Sequence, residues 1–127
     1  MLRACRRVLK PGGRLAFYTI FAAEGISVGD RATALRLRPL ALSWRDLSVR
    51  DLLSRAGFEH IQETDLSEEF LRVQRLFVTS QTRHAEGLRP LKPPGDFDRD
   101  LKVSTKQIPL LERGIIRRAL FVAHRPT

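Results

Sequence analysis

Cysteine occurs once in these 127 residues, at Cys5, and that single thiol excludes an internal disulfide and a cysteine-based metal cluster. No stretch of 18 uncharged apolar residues occurs, which excludes a membrane-spanning helix. The opening segment MLRACRRVLKPGG holds no continuous apolar core, so no secretory signal is expected and a cytoplasmic setting fits best. No G-x-G is present, so a glycine-rich phosphate or dinucleotide cradle has no sequence to build it. Acidic residues are in deficit, 14 against 23 basic ones, for a net charge of +9. A basic surface attracts polyanions. Here, however, 19 arginines and 4 lysines are scattered, with only Arg6-Arg7 and Arg117-Arg118 adjacent, and nucleic-acid binding is not expected.

What is present suffices for one packed domain. Hydrophobic residues make up 43% of the chain, enough to argue against wholesale disorder. Residues 2–9 read as a helix with Leu2, Cys5, Val8 and Leu9 on one side and cations in the last turn. Pro11-Gly12-Gly13 ends it. Residues 14–21, Arg-Leu-Ala-Phe-Tyr-Thr-Ile-Phe, read as a strand buried on both faces, because the apolar run does not alternate. A helix, a glycine turn and such a strand imply an α/β layered fold.

Residues 22–45 carry loop signals at Gly25, Gly29 and Asp30. A short helix over 32–37 is interrupted by Pro39, and Trp44 is expected to anchor the segment by burying its ring. Ser48 should cap a helix over 48–56, with Asp51 at the capping-box position, Leu47 and Leu52 as a hydrophobic staple, and Gly57 as the left-handed stop. Residues 58–65 read as a polar edge strand. A helix follows from Ser67, with Phe70, Val73 and Phe77 at helical spacing. A proline-stiffened linker over 89–95 leads to a helix over 96–112, with Leu101, Ile108 and Leu111 inward. Pro109 is expected to kink or split it and Gly114 to end it. Residues 115–123 form the last strand.

In this order and spacing, Arg7-Val8-Leu9-Lys10-Pro11-Gly12-Gly13-Arg14-Leu15 resembles the segment leading into the fifth strand of class I S-adenosylmethionine-dependent methyltransferases. Leu52-Leu53-Ser54-Arg55-Ala56-Gly57-Phe58 resembles that family's next helix and the start of its sixth strand. Residues 114–124 resemble the seventh strand, which runs antiparallel between the fifth and sixth. The resemblance implies a single partial Rossmann-like domain over residues 1–127, with a helical insertion at about 66–113. The family's cofactor-holding glycine turn and ribose carboxylate have no counterpart here. The expected product is therefore the C-terminal half of a methyltransferase. Such a truncated fragment would be inactive alone and would not bind S-adenosylmethionine, the cofactor of the intact family.

The resemblance further implies that Tyr18, Thr19, Phe21, Phe70 and Phe77 face a small methyl acceptor; core packing explains the same five residues without a site. The strand over 14–21 would lack one neighbour. Its open edge is expected to pair with the missing N-terminal half or with a second copy, and the isolated chain to be marginally stable. The alternative is a non-catalytic module docking through that edge. His60, His84 and His124 share no spacing with an acid, and Glu68, Glu69, Asp96, Asp98 and Asp100 read as helix-end partners and solvated charges. Cys5 reads as a small core residue.

Overall fold

Pro11 and Gly12 decide how the first helix meets the first strand. Pro11 presets the backbone, Gly12 adopts φ +76°, and the Gly13 amide donates to the Lys10 carbonyl at 2.8 Å, the pattern of a type II turn. The turn joins helix α1 (Leu2–Val8) to strand β1 (Arg14–Ala22). The computed structural model describes residues 1–37 and 48–127. After β1 come α2 (Val28–Leu37), α3 (Val49–Arg55), β2 (Glu59–Asp65), α4 (Ser67–Arg83), α5 (Ala85–Leu88), a 3₁₀ turn at Arg89–Leu91, α6 (Asp96–Glu112) and β3 (Ile116–His124). The expectations resting on Pro39, Trp44 and Leu47 lie outside the described residues.

The last strand is the middle one. The order is β1-β3-β2, with β3 antiparallel to both neighbours, and Arg14 stands opposite His124 while Ala22 stands opposite Ile116. On β2 the register slips between Glu59 and Gln62, where His60 takes φ +51°. Among the described residues β1 pairs only with β3, so its other edge is open.

Two hydrophobic cores form, one on each side of the sheet. On one side Phe17, Phe21, Ala119, Phe121 and Ala123 pack with Phe58 against Val49 and Leu53 of α3 and Leu2 and Cys5 of α1. On the other, Ile20, Ala22 and Ile116 pack with Ala34 of α2, Phe70 and Leu71 of α4, and Leu110 and Leu111 of α6. Two of the helices that build these cores, α3 and α6, stop at glycines. Gly57 (φ +91°) and Gly114 (φ +71°) each end a helix in a Schellman motif. In these, Phe58 N–H reaches the Leu53 carbonyl at 3.1 Å, and Ile115 N–H reaches the Leu110 carbonyl at 2.9 Å. Ser48 caps α3 as expected, its hydroxyl accepting from the Asp51 amide at 3.0 Å.

Three expectations are corrected. β1 is not buried on both faces: Arg14, Ala16 and Tyr18 are exposed and alternate with the half-buried Leu15, Phe17 and Thr19. The α1–α3 side is packed along the strand, whereas the helices on the other side reach only its carboxyl-terminal half, at Ile20 and Ala22. Gly29 and Asp30 lie in helix, because the Ser27 hydroxyl accepts from the Asp30 amide at 3.0 Å and starts α2 there. Helix α6 runs unbroken through Pro109 to Glu112. Pro109 sits in its last turn, and Phe97, Gln107, Leu110 and Leu111 form its buried side.

Candidate functional site

Side chains on a strand alternate between faces, so the register sorts the expected site residues. Tyr18 stands opposite Leu120 and Ile20 opposite Arg118, which places Tyr18 and Arg118 on the α4–α6 side of the sheet. Thr19 stands opposite Ala119 and Phe21 opposite Arg117, on the α1–α3 side. There Phe21 packs edge-on to Phe121, with centroids 6.0 Å apart. The five expected residues therefore divide between two faces.

On the α4–α6 side the geometry converges on a residue that sequence reasoning did not single out. The Arg118 guanidinium carbon lies 5.2 Å from the Tyr18 ring centroid and 5.1 Å from that of Phe70. Both distances are within cation–π range. The start of α4 is stitched to β3 at this point. Leu66 N–H donates to the Arg118 carbonyl at 2.8 Å, and Arg118 N–H donates to Ser67 Oγ at 3.0 Å. One turn into the helix, Phe70 N–H reaches the Leu66 carbonyl at 2.9 Å, which sets Phe70 beside Arg118. The adjacent Arg117 points to the other side of the sheet and pairs with Asp65. Partial burial pushes the Asp65 carboxyl up. The Ser67 hydroxyl and amide and the Arg117 guanidinium outweigh that and hold it below the usual aspartate range.

Phe77 lies two turns beyond Phe70, about 10 Å along α4 from the rise per residue of a helix. It is 47% exposed and shares an outward stripe with Val73 and Leu76. The inward side of α4 is set by a polar contact instead: buried Gln74 donates to Gln107 Oε1 at 3.0 Å and to the Ser104 carbonyl at 3.3 Å across the α4–α6 interface. Phe77 and Val73 thus lie outside the core. Tyr18, 58% exposed, lies outside it as well. The resulting surface is aromatic and apolar, with one guanidinium at its inner end, near the carboxyl ends of β1 and β2. In open α/β sheets ligands bind at that end of the strands.

Several of the other charged residues are paired. Glu69 pairs with Arg72, Asp98 with Arg89, Asp96 with Arg99 and Lys92 with Asp100, all on exposed faces. His60 and His124 meet edge-on at 6.1 Å at the far end of the sheet, and no cluster of three metal-ligating side chains occurs among the described residues. Among the described residues Gly25 is the one glycine between a strand and the helix after it, so no glycine-rich cradle for a nucleoside cofactor occurs there, and Asp65 at the end of β2 is engaged by Arg117 and Ser67. No helix among the described residues is long and apolar enough to cross a membrane.

No protein-family model matches the sequence, and no curated protein does. Solved structures do. Phosphoethanolamine N-methyltransferase 2 from Haemonchus contortus, in complex with phosphomonomethylethanolamine and S-adenosylhomocysteine, matches 99% of this chain with TM-score 0.78 and 14% identity. The cyclopropane synthase MmaA2 from Mycobacterium tuberculosis matches 98% with TM-score 0.75 and 16% identity. The [4+2]-cyclase SpnF matches 99% with TM-score 0.69 and 23% identity. The chain spans 29%, 48% and 44% of those three proteins, less than half of each. At these identities the likeness is one of fold. The chain has the architecture of part of a methyltransferase-type Rossmann-like domain, with the antiparallel strand between the two outer ones as the resemblance implied.

Proposed function

We propose that the chain is the acceptor-side, C-terminal half of an S-adenosylmethionine-dependent methyltransferase domain whose substrate is a small molecule. The sheet order carries this reading: β3 lies antiparallel between β1 and β2 in a chain that superposes almost throughout on a methyltransferase of known structure. That Haemonchus enzyme holds a small phosphorylated amine and the demethylated cofactor, which supports a small acceptor here. Methyl transfer from a sulfonium needs alignment and exclusion of water more than it needs a nucleophilic side chain. The absence of a catalytic triad or metal cluster among the described residues is therefore no obstacle.

In this reading the donor is held by polypeptide outside these 127 residues, which completes the sheet along the open edge of β1. Tyr18, Phe70 and Phe77 face the acceptor. Thr19 and Phe21 serve the same strand end from the other side, by fixing β1 against β3. The setting is cytoplasmic, and neither a membrane nor a nucleic acid is a partner. Alone, the chain neither binds the cofactor nor turns over. Calorimetric titration of S-adenosylmethionine into the purified chain tests this: no binding heat is expected, and micromolar binding would overturn the half-domain reading.

The open β1 edge also favours a second reading, a non-catalytic module that docks a partner strand. SpnF shows that a chain with this fold can belong to a protein described by another chemistry. Both readings expect marginal stability of the isolated chain. A soluble monomer melting cooperatively above about 60 °C, the upper end for ordinary domains, would count against both.

A further inference from the structure

Two adjacent arginines on β3 have opposite fates. Arg117 is neutralised by Asp65 on one side of the sheet. Arg118, on the other side, is half-buried, yet no carboxylate among the described residues lies within ion-pair distance of it and its guanidinium makes no hydrogen bond to them. Elsewhere the same fold pairs its helix arginines readily: Arg75 meets Glu112 at 3.1 Å, and Arg99 meets Asp96 at 2.7 Å. With 23 basic residues against 14 acidic ones, not every cation can have its own carboxylate; Arg118 is set apart by being half-buried between two rings. Its nitrogens still reach solvent, since Nδ1 of His124 is the only buried side-chain polar atom without a partner among the described residues.

The two rings explain why a lone guanidinium is tolerated here. Tyr18 and Phe70 each present a π face to it, which offsets part of the charge but accepts none of its N–H bonds. A guanidinium held this way keeps its donors free in a planar fork that matches a carboxylate or phosphate. Its backbone is fixed on both sides, by Ser67 Oγ and Leu66 N–H, so little ordering remains to be done when a ligand arrives.

We propose that Arg118, held between Tyr18 and Phe70, is an anion-binding residue that takes a carboxylate or phosphate group of the ligand, whose apolar remainder lies along Val73 and Phe77. The idea rests on the acceptor-side reading only for the identity of that ligand as the methyl acceptor.

The test is a titration of the purified full chain with inorganic phosphate and, separately, acetate, at constant ionic strength. It is followed by NMR at the Arg118 Nε–Hε resonance, assigned by its loss in Arg118→Gln. Saturating shifts at Arg118, and at the backbone amides of Leu66 and Phe70, are expected in the wild-type chain. In Arg118→Gln the amide shifts should disappear. In Arg118→Lys, which keeps the charge and loses the fork, affinity should fall about tenfold, and this variant covers the case in which Arg118→Gln does not fold. Saturation by phosphate alone assigns a phosphate group, and saturation by acetate assigns a carboxylate. Non-saturating shifts, or equal shifts in wild type and Arg118→Gln, would overturn the proposal. The two readings fail separately. Anion saturation together with micromolar S-adenosylmethionine binding would sink the half-domain reading and leave the anion site standing; no saturation and no cofactor binding would do the reverse.

Discussion

On the α1–α3 side of the sheet, Phe121 is 1% exposed and lies between Phe17 and Phe21, with ring centroids 5.7 and 6.0 Å away. On the α4–α6 side of the same strands, Tyr18 and Phe77 keep about half their surface in solvent. Similar aromatic residues thus meet two different environments. One side buries Ala119, Phe121 and Ala123 almost completely. The other stops halfway along β1 and leaves rings and a cation uncovered. Packing explains the first arrangement fully and does not explain the second, which is why the second is read as a binding surface.

The largest expected effect tests that contrast directly. Phe121→Ala should remove about 3–5 kcal/mol, the range for deleting a buried ring, and abolish cooperative unfolding in a urea titration followed by circular dichroism. Phe77→Ala should change stability by less than about 0.5 kcal/mol, as expected for a surface site. Similar losses for the two would erase the distinction between the faces. Next in size is Gly57→Ala. A β-carbon there would come 2.7 Å from Arg6 Nε while forcing an L-residue to φ +91°. A loss of about 1–2 kcal/mol follows from the left-handed conformation alone, with the midpoint shift of denaturant unfolding as readout.

The smallest effect concerns Asp65. Its folded-state pKa lies below the unfolded one, so its contribution is present above the ordinary aspartate value near pH 4 and is lost as pH falls through the folded value. Melting temperatures measured from pH 7 to pH 2 should show a decline below about pH 4 that is shallower in Asp65→Asn. The group is well exposed, so the difference will be modest. Identical acid limbs would show that the Arg117 pair contributes nothing to this face.

Much of the frame could be read from local chemistry. Gly57, Gly114 and Ser48 stop and start helices for reasons internal to a few residues, and each does so in the structure. The middle position of β3 came from the family resemblance. What was not legible depends on partners distant in sequence. Nothing near Gln74 announces that it faces Gln107, 33 residues away, and that contact turns Val73 and Phe77 outward. The exposed positions on β1 follow from where the helices end, not from the strand's own apolar run. Arg118 looked like one scattered cation among many; only the sheet register and the start of α4 bring it between Tyr18 and Phe70. The Ser27 cap of α2, by contrast, was available in the sequence, masked by the loop reading given to Gly29 and Asp30.

The order of the strands bears on how the chain comes off the ribosome. Within this chain β1 is made before β3, yet β1 has no partner among the described strands except β3, and Arg14 must wait for His124, 110 residues later. Pairings that span so much chain form slowly. In this chain by itself, the apolar stretch from Leu15 to Phe21 is without a mate until Ile116–His124 is made, and such exposed strands are what holdase chaperones intercept and aggregates recruit. Expressed alone and truncated before Ile116, this chain should therefore yield insoluble product rather than a smaller folded domain.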